Sequence, residues 1–285
     1  MNEHEPFVGS EALAHGELSR HQLRTRYQAL FPNVYLSRTE TPSQRALITA
    51  AWLWARRAAT VAGLSAAALH GSPWVDNRSP VELVWSNARP PRGIVTRDLT
   101  LYDCELQTLA GLLVTTPERT AFDIGRQRPT KLAVAHLDAL ARATGVKVCD
   151  VEELAAQHRG SRGLRRLETT LSLVDPGAQS PKETWLRLLL IDAGLPRPTT
   201  QIRVLDEDGY AFALLDMGWE EWMVAVEYDG DQHRSDRWQY VKDMRRIKRL
   251  EELGWIVIRV VAEDGAAGIV RRVCDALGQR RSSLR

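Results

Sequence analysis

The sequence predicts a multidomain α/β (α+β) protein in three regions, residues 1–42, 43–177 and 178–285. Three observations predict it. The 285 residues exceed one average domain, with 44% hydrophobic and 26% charged residues giving an ordinary globular balance. Helix-period and strand-period apolar patterns alternate along the chain. Turn signals such as Phe31-Pro32-Asn33 and Asp175-Pro176-Gly177 separate the patterned segments.

The first region opens with a short helix, Ser10 to His15, with Ser10 as N-cap and Gly16 as its stop. Ser19 can cap a second helix, Arg20 to Leu30, whose inward stripe is Leu23, Tyr27 and Leu30. Arg20, Gln22, Arg24 and Arg26 fall on its outward faces. Phe31-Pro32-Asn33 then turns into a short strand, Val34-Tyr35-Leu36. Helix, turn, basic helix and short ribbon outline a winged helix-turn-helix. Two readings fit the arginines: groove and phosphate contacts on DNA, or a solvated face.

The second region starts with a helical block from Ser43-Gln44 to Leu69-His70-Gly71. Strand patterns follow at Val81–Trp85, Ile94–Arg97 and Leu112–Val114. Helices return at Pro117–Gly125, Lys131–Ala143 and Asp150–His158, with another after Gly160 that ends near Leu173. No metal-ligand spacing, phosphate loop or nucleophile elbow is present here. This is a mixed α/β middle domain, and His70 reads as a helix C-terminal partner.

The third region reads as helix Lys182–Ala193 and strands Gln201–Leu205, Tyr210–Met217 and Trp222–Tyr228. A long helix (Arg237–Leu253), a strand (Trp255–Val261) and a last helix (Ala266–Leu277) follow. The order is αβββαβ, then α. Asp208-Gly209 marks the first hairpin.

Four acids converge in this region. Asp216 ends the second strand, Glu227 and Asp229 end the third, and Glu183 opens the first helix. Alternation puts Glu227 and Asp229 on one face of their strand. Carboxylates gathered in this way repel one another unless a cation intervenes, and an all-oxygen set suits Mg²⁺ or Mn²⁺. His233 follows Asp229 by four residues and is placed to shuttle a proton. Lys242, Arg245, Arg246 and Arg249 form a stripe on the long helix, and Arg259 points from the neighbouring strand, all suited to phosphate. Bland readings stand beside these. Ser180-Pro181-Lys182-Glu183 is also a capping box with proline at N1, and Asp243 can pair with Arg246. Glu227, in an apolar strand, is the hardest acid to explain without a partner.

The motifs Ser180-Pro181-Lys182-Glu183, Leu215-Asp216, Val226-Glu227-Tyr228-Asp229-Gly230, His233, Asp243-Met244-Arg245-Arg246 and Ile258-Arg259 resemble a known set. It is that of PD-(D/E)XK nuclease domains related to very-short-patch mismatch-repair endonucleases (domain of unknown function 559). The resemblance covers about 180–265 and implies a restriction-endonuclease-like core. It implies that Asp216, Glu227, the Tyr228 carbonyl and Glu183 hold Mg²⁺, with His233 as general acid or base. Asp229 stands where the family has its motif lysine, and Leu215 where it has proline. Residues 7–177 resemble, more weakly, AbiEi-type (type IV) antitoxins. The resemblance lies in Leu18-Ser19-Arg20-His21-Gln22, the block from Ser65 to Gly71 and Thr116-Pro117-Glu118-Arg119-Thr120.

The net charge of +2 is too balanced for a purely electrostatic DNA coater, although Arg supplies 33 of the 38 basic residues. Cys104, Cys149 and Cys274 lie too far apart for a zinc ribbon or disulfide framework. The acidic N-terminus lacks a signal-peptide pattern, and no span suits a membrane, so a cytoplasmic location is expected. The leading expectation is a metal-dependent endodeoxyribonuclease placed on DNA by a winged helix. The alternative is a non-enzymatic regulator of the type IV antitoxin kind with a degenerate nuclease domain. Expected partners are DNA and either a second copy or a toxin or nuclease.

Overall fold

Phe7–Val8 (β1), Gly9–Ala14 (α1), Arg20–Arg26 (α2), Tyr27–Phe31 (β2) and Val34–Ser37 (β3) form the first folded segment. Its antiparallel sheet has the order β1-β3-β2. The computed structural model describes residues 4–87, 89–230 and 237–283. They fall into two units, 1–174 and 175–285.

Helix α2 starts where the sequence says. Ser19 accepts a hydrogen bond from the Gln22 N–H, and the Gln22 side chain accepts one from the Ser19 N–H. It ends sooner than the spacing predicts. Tyr27 and Leu30 belong to β2, because Tyr27–Phe31 pairs with β3 and buries Tyr27 and Phe31. A stripe at i, i+4, i+7 does not separate a long helix from a helix running straight into a strand.

The helical block expected from Ser43 to Gly71 is interrupted. Gln44–Trp54 (α3) is capped by Ser43, Thr60–Val61 (β4) follows, and then Gly63–Leu69 (α4). Arg56 and Arg57 end α3 in the left-handed region, at φ 57° and 62°. The Arg57 N–H donates to Trp52 O, and its guanidinium grips Glu11 with two bonds of 2.7 Å.

Val81–Val84 (β5), Ile94–Arg97 (β6), Leu106–Leu109 (β7) and Leu112–Thr115 (β8) join β4 in a sheet of order β6-β5-β4-β8-β7. Strands β5 and β6 run parallel. Phe31 and Val34 share one core with Ile48, Val61, Leu83 and Val114. Pro117–Gln127 (α5), Thr130–Thr144 (α6), Val148–Gln157 (α7) and Leu164–Leu171 (α8) enclose a second core around Phe122, Leu137, Leu140 and Leu167.

The second unit has the order α9 (Pro181–Asp192), β9 (Thr199–Leu205), β10 (Ala211–Trp219), β11 (Val224–Tyr228), α10 (Arg237–Glu252), β12 (Ile256–Val260) and α11 (Ala266–Ser283). Its sheet order is β12-β11-β10-β9, with β11 and β12 parallel and the other pairs antiparallel. Leu186 and Leu190 of α9 and Ile269 and Val273 of α11 bury one face of the sheet with Val226 and Val260. Leu250 of α10 packs with Ala225, Leu215 and Trp255 in a separate cluster. Trp238, near the start of α10, is 79% exposed. Among the described residues, no helix is long and apolar enough to cross a membrane.

Candidate functional site

The acidic centre of the second unit is assembled by the sheet. Met217 pairs with Val226 across β10 and β11, which sets Asp216 beside the Glu227 end of β11. Asp216 Oδ2 accepts the Tyr228 N–H at 2.8 Å. Burial is the main force pushing the Asp216 carboxyl up to about 7, against the Tyr228 hydrogen bond. The nearby negative charges of Glu183 and Glu227 raise it further, and Arg246 opposes them. The sheet register therefore sets Asp216 beside Glu227, and Glu183 is near enough for its charge to bear on Asp216.

Each of these acids already has protein partners. Glu183 receives the Ser180 hydroxyl at 2.9 Å and the Gln179 N–H at 2.8 Å, while its own N–H donates to Ser180 Oγ. That is the bland reading of Ser180-Pro181-Lys182-Glu183, realised. Glu227 is buried and holds the Arg246 guanidinium in a two-pronged pair, at 2.6 and 2.8 Å. Arg246 also donates to Asp243 Oδ1, and Arg259 bridges Asp243 at 3.1 Å and Asp229 at 2.6 Å. An alternating chain results: Glu227, Arg246, Asp243, Arg259, Asp229.

This arrangement corrects two sequence assignments. Arg246 and Arg259, whose spacing suits phosphate, are both turned onto carboxylates of their own unit. In the register, Glu227 lies opposite Arg259, and Arg246 is one helical turn beyond Asp243, so the sheet and α10 impose the pairing. Lys242 and Arg245 are exposed on α10. Arg249 lies over the Phe212 ring at 4.3 Å. His233 lies outside the described residues.

The fit of a divalent ion can be judged from these donors. Mg²⁺ and Mn²⁺ need several oxygen lone pairs aimed at one point. Here both Glu227 oxygens face a guanidinium and both Glu183 oxygens close a helix cap. Among the described residues, no group of three or more His, Cys, Asp or Glu is placed to hold a metal ion. As arranged, with Glu227 and Glu183 committed to protein donors, the carboxylates Asp216, Glu227 and Glu183 do not fit the ion.

The basic face of the first unit is open. Arg20, Arg24 and Arg26 are exposed on α2. Arg20, Arg24 and Arg38 line a groove of about 330 Å³ between α2 and β3, floored by Leu23, Tyr27 and Tyr35. Gln22 differs from its neighbours, because its carbonyl oxygen is committed to the cap of α2.

Sequence reasoning missed two buried charge clusters in residues 58–174. Arg119 donates to Glu105 at 2.5 Å and to Asp123 at 2.9 Å, and His158 and Arg126 complete that group. Glu82 of β5 is held by Arg97 and Arg128 and by the Leu64 N–H. Buried His136 stands near it, its imidazole pushed down to about 4 by burial first and then by Arg128. Asp123 and Glu82 stand singly among apolar residues and Glu105 follows Asp103 in a short polar stretch, which is a weak signal for a buried partner. His70 bonds Thr115 O at 2.8 Å across to β8.

Comparison with known proteins gives three findings. Residues 58–174 match the family model described as the AbiEi antitoxin C-terminal domain. The chain is 31% identical over 176 residues to the uncharacterised Mycobacterium tuberculosis proteins MT2308 (strain CDC 1551 / Oshkosh) and Rv2248 (strain ATCC 25618 / H37Rv). Each match covers 62% of this chain and 64% of the relative, so the match spans just under two thirds of these relatives. No solved structure matches.

Proposed function

We propose that this protein is a DNA-binding regulator of the antitoxin kind that acts without catalysis. The observation that carries the reading is the match of residues 58–174 to the AbiEi antitoxin C-terminal domain. The segment before it supports the DNA part. Its order β1-α1-α2-β2-β3 supports reading it as a winged helix-turn-helix, with α2 as the recognition helix and β2–β3 as the wing. Arg20, Arg24 and Arg26 are exposed along α2 and suit phosphates or base edges. On this reading residues 1–42 hold DNA, 43–177 carry the antitoxin role toward a toxin partner, and 178–285 are a nuclease-like domain. A cytoplasmic setting, and a second copy on a two-fold-related DNA site, belong to the same reading.

The test is a footprint on the DNA upstream of the coding sequence. Protection that survives Asp216→Ala and Glu227→Ala and disappears with Arg20→Ala/Arg24→Ala supports the regulator. Protection indifferent to the arginines contradicts it.

A second reading rests on the αβββαβ order and on the convergence of Glu183, Asp216 and Glu227. These features support descent from the PD-(D/E)XK nuclease fold. Phosphodiester hydrolysis on that fold would need Mg²⁺ or Mn²⁺. The carboxylates engaged by Arg246, Ser180 and Tyr228 do not fit such an ion. We read the domain as degenerate. Incubation with supercoiled plasmid and single-stranded DNA in Mn²⁺, Mg²⁺ or EDTA tests this. Metal-dependent nicking lost in Glu227→Ala would restore the nuclease.

A further inference from the structure

We infer that Arg246 is the resident cation of the acidic centre in the second unit, and that it closes this centre to divalent metal ions. The inference does not depend on DNA binding by α2.

A buried carboxylate is costly without a compensating charge. Glu227 is 7% exposed, in a strand whose other residues are apolar up to Tyr228. Two kinds of cation can answer it. A divalent ion would sit at a point shared with Asp216 and Glu183. A guanidinium instead takes both carboxylate oxygens in one plane, and Arg246 does so at 2.6 and 2.8 Å.

Arg246 is held in that pose from behind. Its Nε and one terminal nitrogen donate to Asp243 Oδ1 at 3.2 and 2.8 Å. Asp243 Oδ2 is itself anchored by Arg259, and Arg259 by Asp229. To swing off Glu227 the guanidinium would also have to give up its two bonds to Asp243 Oδ1. Its positive charge also bears on Asp216, where it opposes the effect of the neighbouring acids. Among the neighbouring acids, both Glu183 oxygens accept from Ser180 and Gln179, and Asp216 Oδ2 accepts from the Tyr228 N–H.

Removing the guanidinium leaves buried Glu227 beside Asp216 without the cation that now answers it, and a divalent ion is the other cation that can. The test is Mn²⁺ binding to the full chain, read by the loss of the free Mn²⁺ resonance signal and by the thermal unfolding midpoint. The wild type is expected to take up no Mn²⁺ that depends on Glu227, with an unchanged midpoint. Arg246→Met is expected to bind one Mn²⁺ with a raised midpoint, and Arg246→Met/Glu227→Gln to lose both effects. If Arg246→Met does not fold alone, Mn²⁺ but not sodium chloride is expected to restore its far-ultraviolet circular dichroism. Glu227-dependent Mn²⁺ uptake by the wild type would overturn the inference. So would an Arg246→Met chain that folds without binding Mn²⁺, or one that Mn²⁺ fails to restore.

Discussion

Arg119 and Glu105 are 2% and 1% exposed and lie 2.5 Å apart, so the antitoxin-matching region is built around a buried ion pair. The same guanidinium holds Asp123, and the same carboxylate holds His158. Removing one member of such a pair costs far more than the pair contributes, because the survivor stays buried and charged. Arg119→Met is expected to destabilise the protein by about 3–5 kcal/mol in equilibrium urea unfolding. Arg119→Met/Glu105→Gln should recover part of that loss. A single-variant loss below about 1 kcal/mol would assign the pair no structural weight.

His136 gives the first unit an acid-sensitive element. Its imidazole titrates near 6.5 in an unfolded chain and is held down to about 4 by burial in the folded one. Between these values the unfolded state carries the extra proton, so stability falls as pH drops through that window. The loss is about 3 kcal/mol at most. His136→Leu should flatten the curve of stability against pH between these limits. Parallel curves for the two proteins would contradict it.

Gly63 is required by geometry. It opens α4 at φ +55°, and a Cβ there would stand 2.7 Å from the Glu82 carboxyl group. The left-handed backbone alone costs an L-residue about 1–2 kcal/mol. Displacing Glu82 would also loosen its bonds to Arg97, Arg128 and Leu64. Gly63→Ala is therefore expected to lose more than about 2 kcal/mol by thermal unfolding. A smaller loss would mean that Glu82 relocates freely.

The cap of α2 separates stability from recognition. Ser19→Ala should cost about 1 kcal/mol through the lost cap. Gln22→Ala should resemble it, since the Gln22 carbonyl serves the same cap. Neither substitution removes a cation, so neither should change the salt dependence of DNA binding. A changed salt slope in Gln22→Ala would place this side chain on the DNA instead.

Much of the fold was legible because local rules acted alone. Ser19, Ser43 and Ser180 each cap the helix that their spacing announced. The αβββαβ order of the second unit was legible from alternation and the Asp208-Gly209 turn. Strand β2 was hidden, since Tyr27 and Leu30 satisfy helical spacing as well as strand pairing. Strands β1 and β4 have only two residues each, too few for a period. The acids of the candidate site could be singled out because carboxylates in apolar strands are anomalous. Their partners could not, because Arg246 and Arg259 look like solvent-facing or phosphate-facing arginines until α10 and β12 are packed against β11.

The most direct test of the regulator reading is the affinity for upstream duplex DNA, measured against salt concentration. The wild type, Arg20→Ala/Arg24→Ala and Glu227→Ala proteins should be compared in EDTA and in Mn²⁺. Each phosphate contact contributes about 0.9 to the slope of log affinity against log salt. A slope shallower by about 2 is expected for the double arginine variant. Binding by Glu227→Ala is expected to be unchanged, with no strand cleavage in either buffer. An unaltered slope without Arg20 and Arg24, or Mn²⁺-dependent cleavage that Glu227→Ala abolishes, would contradict the regulator reading.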